Sequence, residues 1–389
     1  MILRGVTVAS SLGFCREVMR RMRQLGWRSV AVSSPGPELD SLSRDEGFEC
    51  FALPMERHIS PWRDLCSLAK MVRLMRRLRP QIVHSMTPKA GLICMAAAWL
   101  TGVPVRIHTF TGLIWPTATG FKRRLLMFTD RLTCAFASHI IPEGEGVKAD
   151  LIAGHITRKP LKVLGFGNVR GVDLEVFNPE RLSVEKDPAT FTFLFVGRIV
   201  GDKGINELVS AFTAIHSLHP NARLRLVGEF EPNLDPLAPD TLSAIETNPA
   251  IEAVGPMYGD DLIKQYAQAD CFVMPSYREG FPNVVLEAGA MGLPSIVTDI
   301  NGSREIITNG HNGLIVPPRN AAALQSAMLQ LLTDTDARHR MAANARPLIQ
   351  QRFDKHFVQS CQIQFYQEVV NQTGTAAASP NPSASHNPS

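Results

Sequence analysis

The sequence has no C-x-x-C pair. Its seven cysteines, Cys15, Cys50, Cys66, Cys94, Cys134, Cys271 and Cys361, are odd in number and scattered, most of them in apolar runs. This argues against a disulfide framework and predicts buried, reduced thiols in a cytosolic protein. Nor is there an apolar stretch near the ~20 residues that a spanning helix needs. The longest, Ala90 to Val105, is broken by Gly91, Gly102 and Pro104, so a soluble or peripheral protein is expected. Met1-Ile2-Leu3 is followed at once by Arg4, a start without the apolar core of a signal peptide. No His/Cys/carboxylate cluster has metal-ligand spacing, and no metal is expected. Asp334-Thr335-Asp336 is formally D-x-D, but it stands between two helical patterns, Ala321–Leu332 and Ala337–Gln350, and reads as a helix-capping turn. No nucleic-acid recognition module or aromatic-interleaved basic patch is visible, so nucleic acid is not an expected partner.

What is present is ordinary globular material, 45% hydrophobic and 20% charged, in 389 residues, enough for two or three domains. The net charge of +4 is unevenly placed: residues 1–180 hold 25 Lys+Arg against 15 Asp+Glu, and residues 181–389 hold 15 against 21. Two helical patterns concentrate the cations. One carries Arg63, Lys70, Arg73, Arg76, Arg77 and Arg79; the other carries Lys122, Arg123, Arg124 and Arg131 beside Leu125, Leu126, Met127 and Phe128. Each alone reads as an amphipathic surface helix with its apolar stripe in the core. Together they point to an anionic membrane surface, which predicts a cytoplasmic protein peripheral on the inner face of the plasma membrane.

Short apolar runs alternate with helical patterns, the signature of βαβ units. In the first half strands are predicted at Val6–Ala9, Ser29–Ser33, Cys50–Leu53, Gln81–His84, Val105–Thr109, Ile140–Pro142 and Lys162–Leu164, with helices at Cys15–Leu25, Pro61–Leu78, Gly91–Leu100 and Phe121–Ala137. In the second they are predicted at Thr192–Val196, Arg223–Val227, Ile251–Val254, Cys271–Met274, Pro294–Thr298 and Gly313–Val316. Both halves are therefore α/β, with doubly wound parallel sheets, and ligands are expected beyond the carboxyl ends of the strands. Gly165-Phe166-Gly167-Asn168-Val169-Arg170-Gly171 superficially looks like a dinucleotide fingerprint, but its third glycine is displaced and no helix pattern follows. It marks instead a domain junction at about 168–190. The expected layout is 1–168, 190–350, a last amphipathic helix at 353–372, and an Ala/Ser/Pro/Asn-rich, disordered tail at 373–389.

The densest chemistry lies at Glu279-Gly280-Phe281-Pro282-Asn283-Val284-Val285-Leu286-Glu287. A strand leads in through Met274-Pro275-Ser276, and a helix leads out to Gly292-Leu293-Pro294. One carboxylate closes the strand loop and the other lies about a turn into the helix, whose first free amides favour an anion. A second loop, Gly197-Arg198-Ile199-Val200-Gly201-Asp202-Lys203-Gly204, places Arg and Lys five apart among three glycines, a suitable clamp for a diphosphate.

These motifs resemble the E-x7-E and R-x4-K patterns of GT-B-fold retaining glycosyltransferases of family 4, capsule and exopolysaccharide enzymes included. The resemblance implies two Rossmann-like domains facing a cleft, with the C-terminal helix returning to the acceptor-side N-terminal domain. It implies that Arg198 and Lys203 bind the donor's phosphates and that Gly197 lies in the same loop. Glu279 would approach the sugar hydroxyls. The amides of Gly280, Phe281, Asn283 and Val284 would meet the sugar–phosphate junction, and Glu287 would accept hydrogen bonds from the ribose. The donor is expected to be a nucleotide sugar, UDP-linked, with no further cofactor, and the acceptor a polyprenyl-diphosphate-linked glycan in cell-surface polysaccharide synthesis.

On the acceptor side, the loop with Gly13 and Phe14 follows the first strand and is either a ligand loop or an ordinary strand-to-helix turn. His84-Ser85-Met86-Thr87-Pro88-Lys89-Ala90-Gly91 resembles the H-T-H-T-P-K-A-G pattern of polysaccharide transferases. Lys89 there is either an anion contact or a solvated cation. Thr111 stands where many family members carry a histidine before Gly112. Strand alternation puts His108 on the opposite face, as a core or surface residue or an acceptor-side contact. A carboxylate pair of the hydrolase kind does not suit the placement of Glu279 and Glu287. The resemblance implies instead a same-face reaction in which the leaving phosphate takes the acceptor's proton. A GT-B-fold UDP-sugar 2-epimerase and a non-catalytic nucleotide-sugar-binding protein are the alternatives.

Overall fold

A computed structural model describes residues 1–56, 60–233, 235–372 and 374 of the chain. Apart from Gly374, the tail from 373 onward, expected to be disordered, lies outside the described residues. The chain divides into two compact units. The first comprises Met1–Glu143, Lys148–Leu164 and the chain from Gln359 onward; the second comprises Gly144–Val147 and Gly165–Val358.

The first unit is built from β1 (Ile2–Gly5), α1 (Arg16–Gln24), β2 (Ser29–Ser33), α2 (Pro37–Arg44), β3 (Glu49–Ala52), α3 (Pro61–Leu78), β4 (Ile82–Ser85), α4 (Pro88–Leu100), β5 (Val105–Phe110), α5 (Gly120–Phe136), β6 (His139–Pro142) and α6 (Glu145–Ala153). Its six strands are all parallel, in the order β3-β2-β1-β4-β5-β6. The order reverses direction between β1 and β4, which makes that pair the switch point of a doubly wound sheet.

The sequence places the first strand too late. Arg4 looks like a polar interruption but is buried within β1, so the strand is Ile2–Gly5, and Ala9–Phe14 forms a 3₁₀ turn. The expected strand at Lys162–Leu164 reduces to one bridge, Ile140 with Leu161, at the edge of β6. Gly165, at φ 56°, then turns the chain away. The helix α2 is not anticipated; its short, polar sequence buries only Leu39 and Leu42.

The second unit repeats the plan with β7 (Phe191–Val196), α7 (Ile205–His216), β8 (Ala222–Val227), α8 (Pro239–Thr247), β9 (Ile251–Gly255), α9 (Gly259–Gln268), β10 (Cys271–Met274), α10 (Asn283–Ala290), β11 (Ser295–Thr298), α11 (Ser303–Ile306), β12 (Gly313–Val316), α12 (Ala321–Thr333) and α13 (Thr335–Phe353); the last helix, α14 (Lys355–Gln372), belongs from Gln359 onward to the first unit. The sheet order is β12-β11-β10-β7-β8-β9, the same arrangement, with the switch point between β7 and β10. Burial on both faces follows from the alternation along β7. Phe191, Phe193 and Phe195 enter one core with α7 and α12, while Leu194 and Val196 enter the other with α10 and α13.

Two sequence readings of polar segments agree with the structure. Asp334 caps α13, its side chain accepting from the Ala337 amide at 2.9 Å. The Gly165–Gly171 stretch opens no helix. Val172 bridges to Asp354, with Val172 N donating to Phe353 O at 2.9 Å and Lys355 N donating to Val172 O at 3.0 Å. Gly171 sits at φ 70°, and a Cβ there would lie 2.6 Å from the Lys355 Cα, so this glycine serves chain packing.

Candidate functional site

The two loops singled out in the second unit leave the two strands of its switch point. The Gly197–Gly204 loop follows β7, and the Pro275–Pro282 loop follows β10. A doubly wound sheet presents its ligand crevice at such a place. The loops interlock through their backbones. Gly204 lies at φ 72°, and a Cβ on it would stand 2.1 Å from the Pro275 carbonyl oxygen, so only glycine lets the loops meet there. Tyr277 N donates to Asp202 O at 2.9 Å, and Arg278 pairs with the Asp202 carboxylate at 3.1 Å.

On this frame the sequence-predicted groups come together. Lys203 Nζ lies 2.5 Å from Glu279 Oε1, each side chain less than a fifth exposed. Arg198, on the more open part of the same loop, pairs with Glu231 at 3.3 Å. The Tyr277 hydroxyl donates to both Glu207 oxygens, at 2.7 and 2.8 Å, and the Arg319 guanidinium covers its ring at 4.5 Å. These contacts fix the β10 loop against α7.

Beyond the loop, Pro282 is the extended N-cap of α10 and Asn283 its first residue, one position later than a Pro at the first helical turn. Val285 N returns to Pro282 O at 3.1 Å, and the Asn283 side chain accepts from Asn168 Nδ2 at 3.0 Å. The Phe281 ring is buried beside Phe353, centroids 5.4 Å apart, so only its backbone faces the loop chemistry. Gly280 contacts Gly302 at the start of α11.

Glu287, a turn into α10, is only 8% exposed. Its Oε2 accepts from the Tyr266 hydroxyl at 3.0 Å, and burial pushes its carboxyl above the usual range. Sequence reasoning missed Tyr266, Asp202, Asn168 and Glu231. Tyr266 carried a signal: a tyrosine on the apolar face of a helix must find its hydroxyl a partner when buried.

In the first unit the residues named for the acceptor side lie at the carboxyl ends of β1, β4 and β5. Gly13 is exposed and Phe14 half-buried, in the 3₁₀ turn after β1. The β1 and β4 loops meet through Thr7 and Thr87, hydroxyl oxygens 2.7 Å apart. Lys89 is ion-paired with Asp64 at 2.8 Å. Thr111 donates to the Met86 carbonyl at 3.0 Å.

His84 and His108 are core side chains. His84 Nε2 meets Thr109 Oγ1 at 2.7 Å, and its Nδ1 meets the Tyr366 hydroxyl at 2.7 Å and Arg4 at 3.1 Å. His108 Nδ1 meets Ser85 Oγ at 2.8 Å, and the ring packs on Gly91. Burial lowers both histidines, His108 to about 3, so both are neutral in the folded protein. Among the described residues no group of His, Cys, Asp and Glu is placed to hold a metal ion. No described helix is long and apolar enough to cross a membrane.

Comparison with known proteins matches both units. Residues 177–347 fit the family described as Glycosyl transferases group 1, and residues 14–167 fit the Glycosyl transferase 4-like domain. The capsular polysaccharide biosynthesis glycosyltransferase CapM of Staphylococcus aureus is 33% identical over 359 residues, 91% of this chain and 93% of that protein. An Escherichia coli UDP-Gal:alpha-D-GlcNAc-diphosphoundecaprenol alpha-1,3-galactosyltransferase is 27% identical over 343 residues, 84% of this chain and 85% of that protein. Among solved structures, Anabaena HepE in complex with UDP superposes with a TM-score of 0.75 at 17% identity, covering 94% of this chain and 99% of that one. At that identity the likeness shows the fold.

Proposed function

The chain belongs to the group 1 glycosyl transferases, with a glycosyl transferase 4-like domain in its first half, and from that membership we propose that it is a retaining enzyme of cell-surface polysaccharide synthesis. It moves a hexosyl or N-acetylhexosaminyl group from a UDP-sugar to a polyprenyl-diphosphate-linked glycan. The observation that carries this reading is the meeting of the two switch-point loops, with Lys203 against Glu279 and Arg198 on the same β7 loop. The named relatives support the choice of acceptor, since the Escherichia coli protein acts on a diphosphoundecaprenol-linked sugar. The UDP-Gal that the same relative uses supports the choice of donor.

In this reading Arg198 and Lys203 neutralise the charge that grows on the leaving diphosphate as the anomeric bond breaks. Glu279 accepts from the sugar's hydroxyls and fixes its orientation. The amides at the start of α10 meet the sugar–phosphate junction, and Glu287 holds the ribose. The acceptor hydroxyl attacks from the face the diphosphate leaves, and a phosphate oxygen takes its proton. Retention follows, with no carboxylate acting as nucleophile and no metal.

The first unit supports a membrane-peripheral placement. The helices α3 and α5 both pack on α4. Trp62 and Phe121 on them are each 80% exposed, beside exposed Arg63, Lys122, Arg123 and Arg124. Aromatic side chains flanked by cations suit an anionic lipid surface.

The test is UDP release from a panel of UDP-sugars with a polyprenyl-diphosphate-linked glycan, presented in anionic vesicles or in detergent. Acceptor-dependent release with an α-configured product is expected, and the protein should float with the vesicles at low salt. Arg198→Ala and Glu279→Gln should each lower kcat by roughly 10²–10³-fold, the range for removing one group that stabilises transition-state charge. Near wild-type transfer by the folded variants, or epimerised free donor without acceptor, would overturn the assignment.

A further inference from the structure

The loops and cations of the switch point account for Glu279, but not for how Glu287 is held. Glu287 is a nearly buried carboxylate; the Arg170 charge acts on it from a distance, but no ion pair at contact holds it among the described residues, and its hydrogen bond is to a neutral phenol. A buried structural carboxylate is ordinarily matched by a cation, because an uncompensated charge in the interior is costly. A carboxylate whose hydrogen bond comes from one neutral donor keeps acceptor capacity on its other oxygen, and a ligand rich in hydroxyls can fill it.

The donor is built as firmly as the acceptor. Tyr266 is fully buried in α9. Its ring stands edge-on to Phe177, centroids 6.0 Å apart, and against Phe272 at 6.0 Å, so the rotamer is fixed. The hydroxyl reaches Glu287 Oε2 at 3.0 Å, and the Val284 carbonyl lies at 3.5 Å, the limit of a hydrogen bond. A phenylalanine would fill the same core, so the hydroxyl is the part that calls for a role.

We propose that Tyr266 is a positioning residue for donor recognition: its hydroxyl pins Glu287 Oε2 and leaves the other carboxylate oxygen for the hydroxyls of the donor nucleotide's ribose. The proposal rests on the reading above that Glu287 meets the ribose. It adds that the grip is set from a helix that makes no ligand contact of its own.

The test uses the full chain, with UDP and 2′,3′-dideoxy-UDP as probes. Wild-type protein should prefer UDP. Tyr266→Phe should lower UDP affinity about 5- to 10-fold, the upper part of the range for an ordinary hydrogen bond. It should also shrink the preference over the dideoxy analogue and raise the donor KM with kcat little changed. Glu287→Gln should do the same more strongly, and the double variant should be no worse than Glu287→Gln alone. A purely structural tyrosine would weaken both nucleotides equally. Folded Tyr266→Phe with wild-type discrimination, beside an impaired Glu287→Gln, would overturn the inference and leave the ribose reading standing. Unchanged discrimination in Glu287→Gln would overturn both.

Should Tyr266→Phe not fold, 3-fluorotyrosine labelling decides the matter, because the chain has only four tyrosines. The other three can be assigned by replacement. The Tyr266 fluorine signal should move on adding UDP and stay still with the dideoxy analogue; a signal unmoved by UDP would sink the idea.

Discussion

The two units share one strand order and one switch-point geometry, yet they furnish it in opposite ways. In the first, the histidines of the central strands are neutral and buried: His84 with Thr109 and Tyr366, His108 with Ser85. In the second they are charged, on loops rather than strands, and partly open: Lys203 with Glu279, Arg198 with Glu231. Buried neutral hydrogen bonds hold an element in place, since leaving either partner unmatched is costly. An exposed ion pair such as Arg198 with Glu231 is worth little by itself and can exchange partners with a ligand. The topology alone makes both ends equal candidates; the chemistry of the side chains distinguishes them.

That contrast breaks most sharply under acid. His108 is held at about 3 by burial, against an ordinary value near 6.5. The unfolded chain therefore binds a proton that the folded one does not, and stability should fall as pH drops through 6.5 toward 3. The slope is about 1.4 kcal/mol per pH unit for this group. The downward shift of His84 adds in the same direction. Denaturant melts at several pH values check this, and His108→Gln should flatten the curve by about one proton. At neutral pH the same variant should cost about 2 kcal/mol, through the Ser85 partner lost and the packing on Gly91, without changing UDP affinity. A change in UDP affinity would end the division of roles between the two units.

How much of this was legible in the sequence follows the same line. Glu279, Glu287, Arg198 and Lys203 could be found because loop spacing beside an apolar strand is a local property. The strands of the second sheet fall within a residue or two of where their apolar runs put them, since continuous hydrophobic segments buried on both faces are easily read. Arg4 misled because its partners, His84 and Tyr366, are 80 and 362 positions away. The same holds for His84 and His108, whose burial depends on which helix covers the strand. The partnership of Tyr266 with Glu287 crosses from α9 to α10, and no local pattern announces it.

The contrast sharpens at Gly204, where the second unit's two loops meet. Gly204→Ala would force a Cβ against the Pro275 carbonyl in a backbone region unfavourable to alanine. A stability loss of about 2 kcal/mol is expected. UDP affinity should drop about tenfold, because the β7 loop can no longer hold Lys203 beside Glu279. Thermal unfolding and nucleotide titration read the two effects separately. A loss of stability with UDP affinity intact would mean that the loops need not interlock for the donor to bind.

The smallest effect tests whether the exposed ion pair exchanges partners. Arg198 and Glu231 lie 3.3 Å apart, with side chains 43% and 38% exposed. Such a pair contributes at most about 1 kcal/mol in water, much of it screened by salt. If the donor's diphosphate takes Arg198, it must displace Glu231, and the lost pairing subtracts from binding. Glu231→Gln removes the competitor and also one negative charge near an anionic ligand. Both changes act in the same direction, so UDP should bind about twofold tighter at low salt. The gain should fade as ionic strength rises, because both contributions are electrostatic between exposed groups. Weaker binding by Glu231→Gln would mean that this carboxylate orients Arg198 for the phosphate rather than occupying it, and this exposed pair of the second unit would then be as fixed as the histidines of the first.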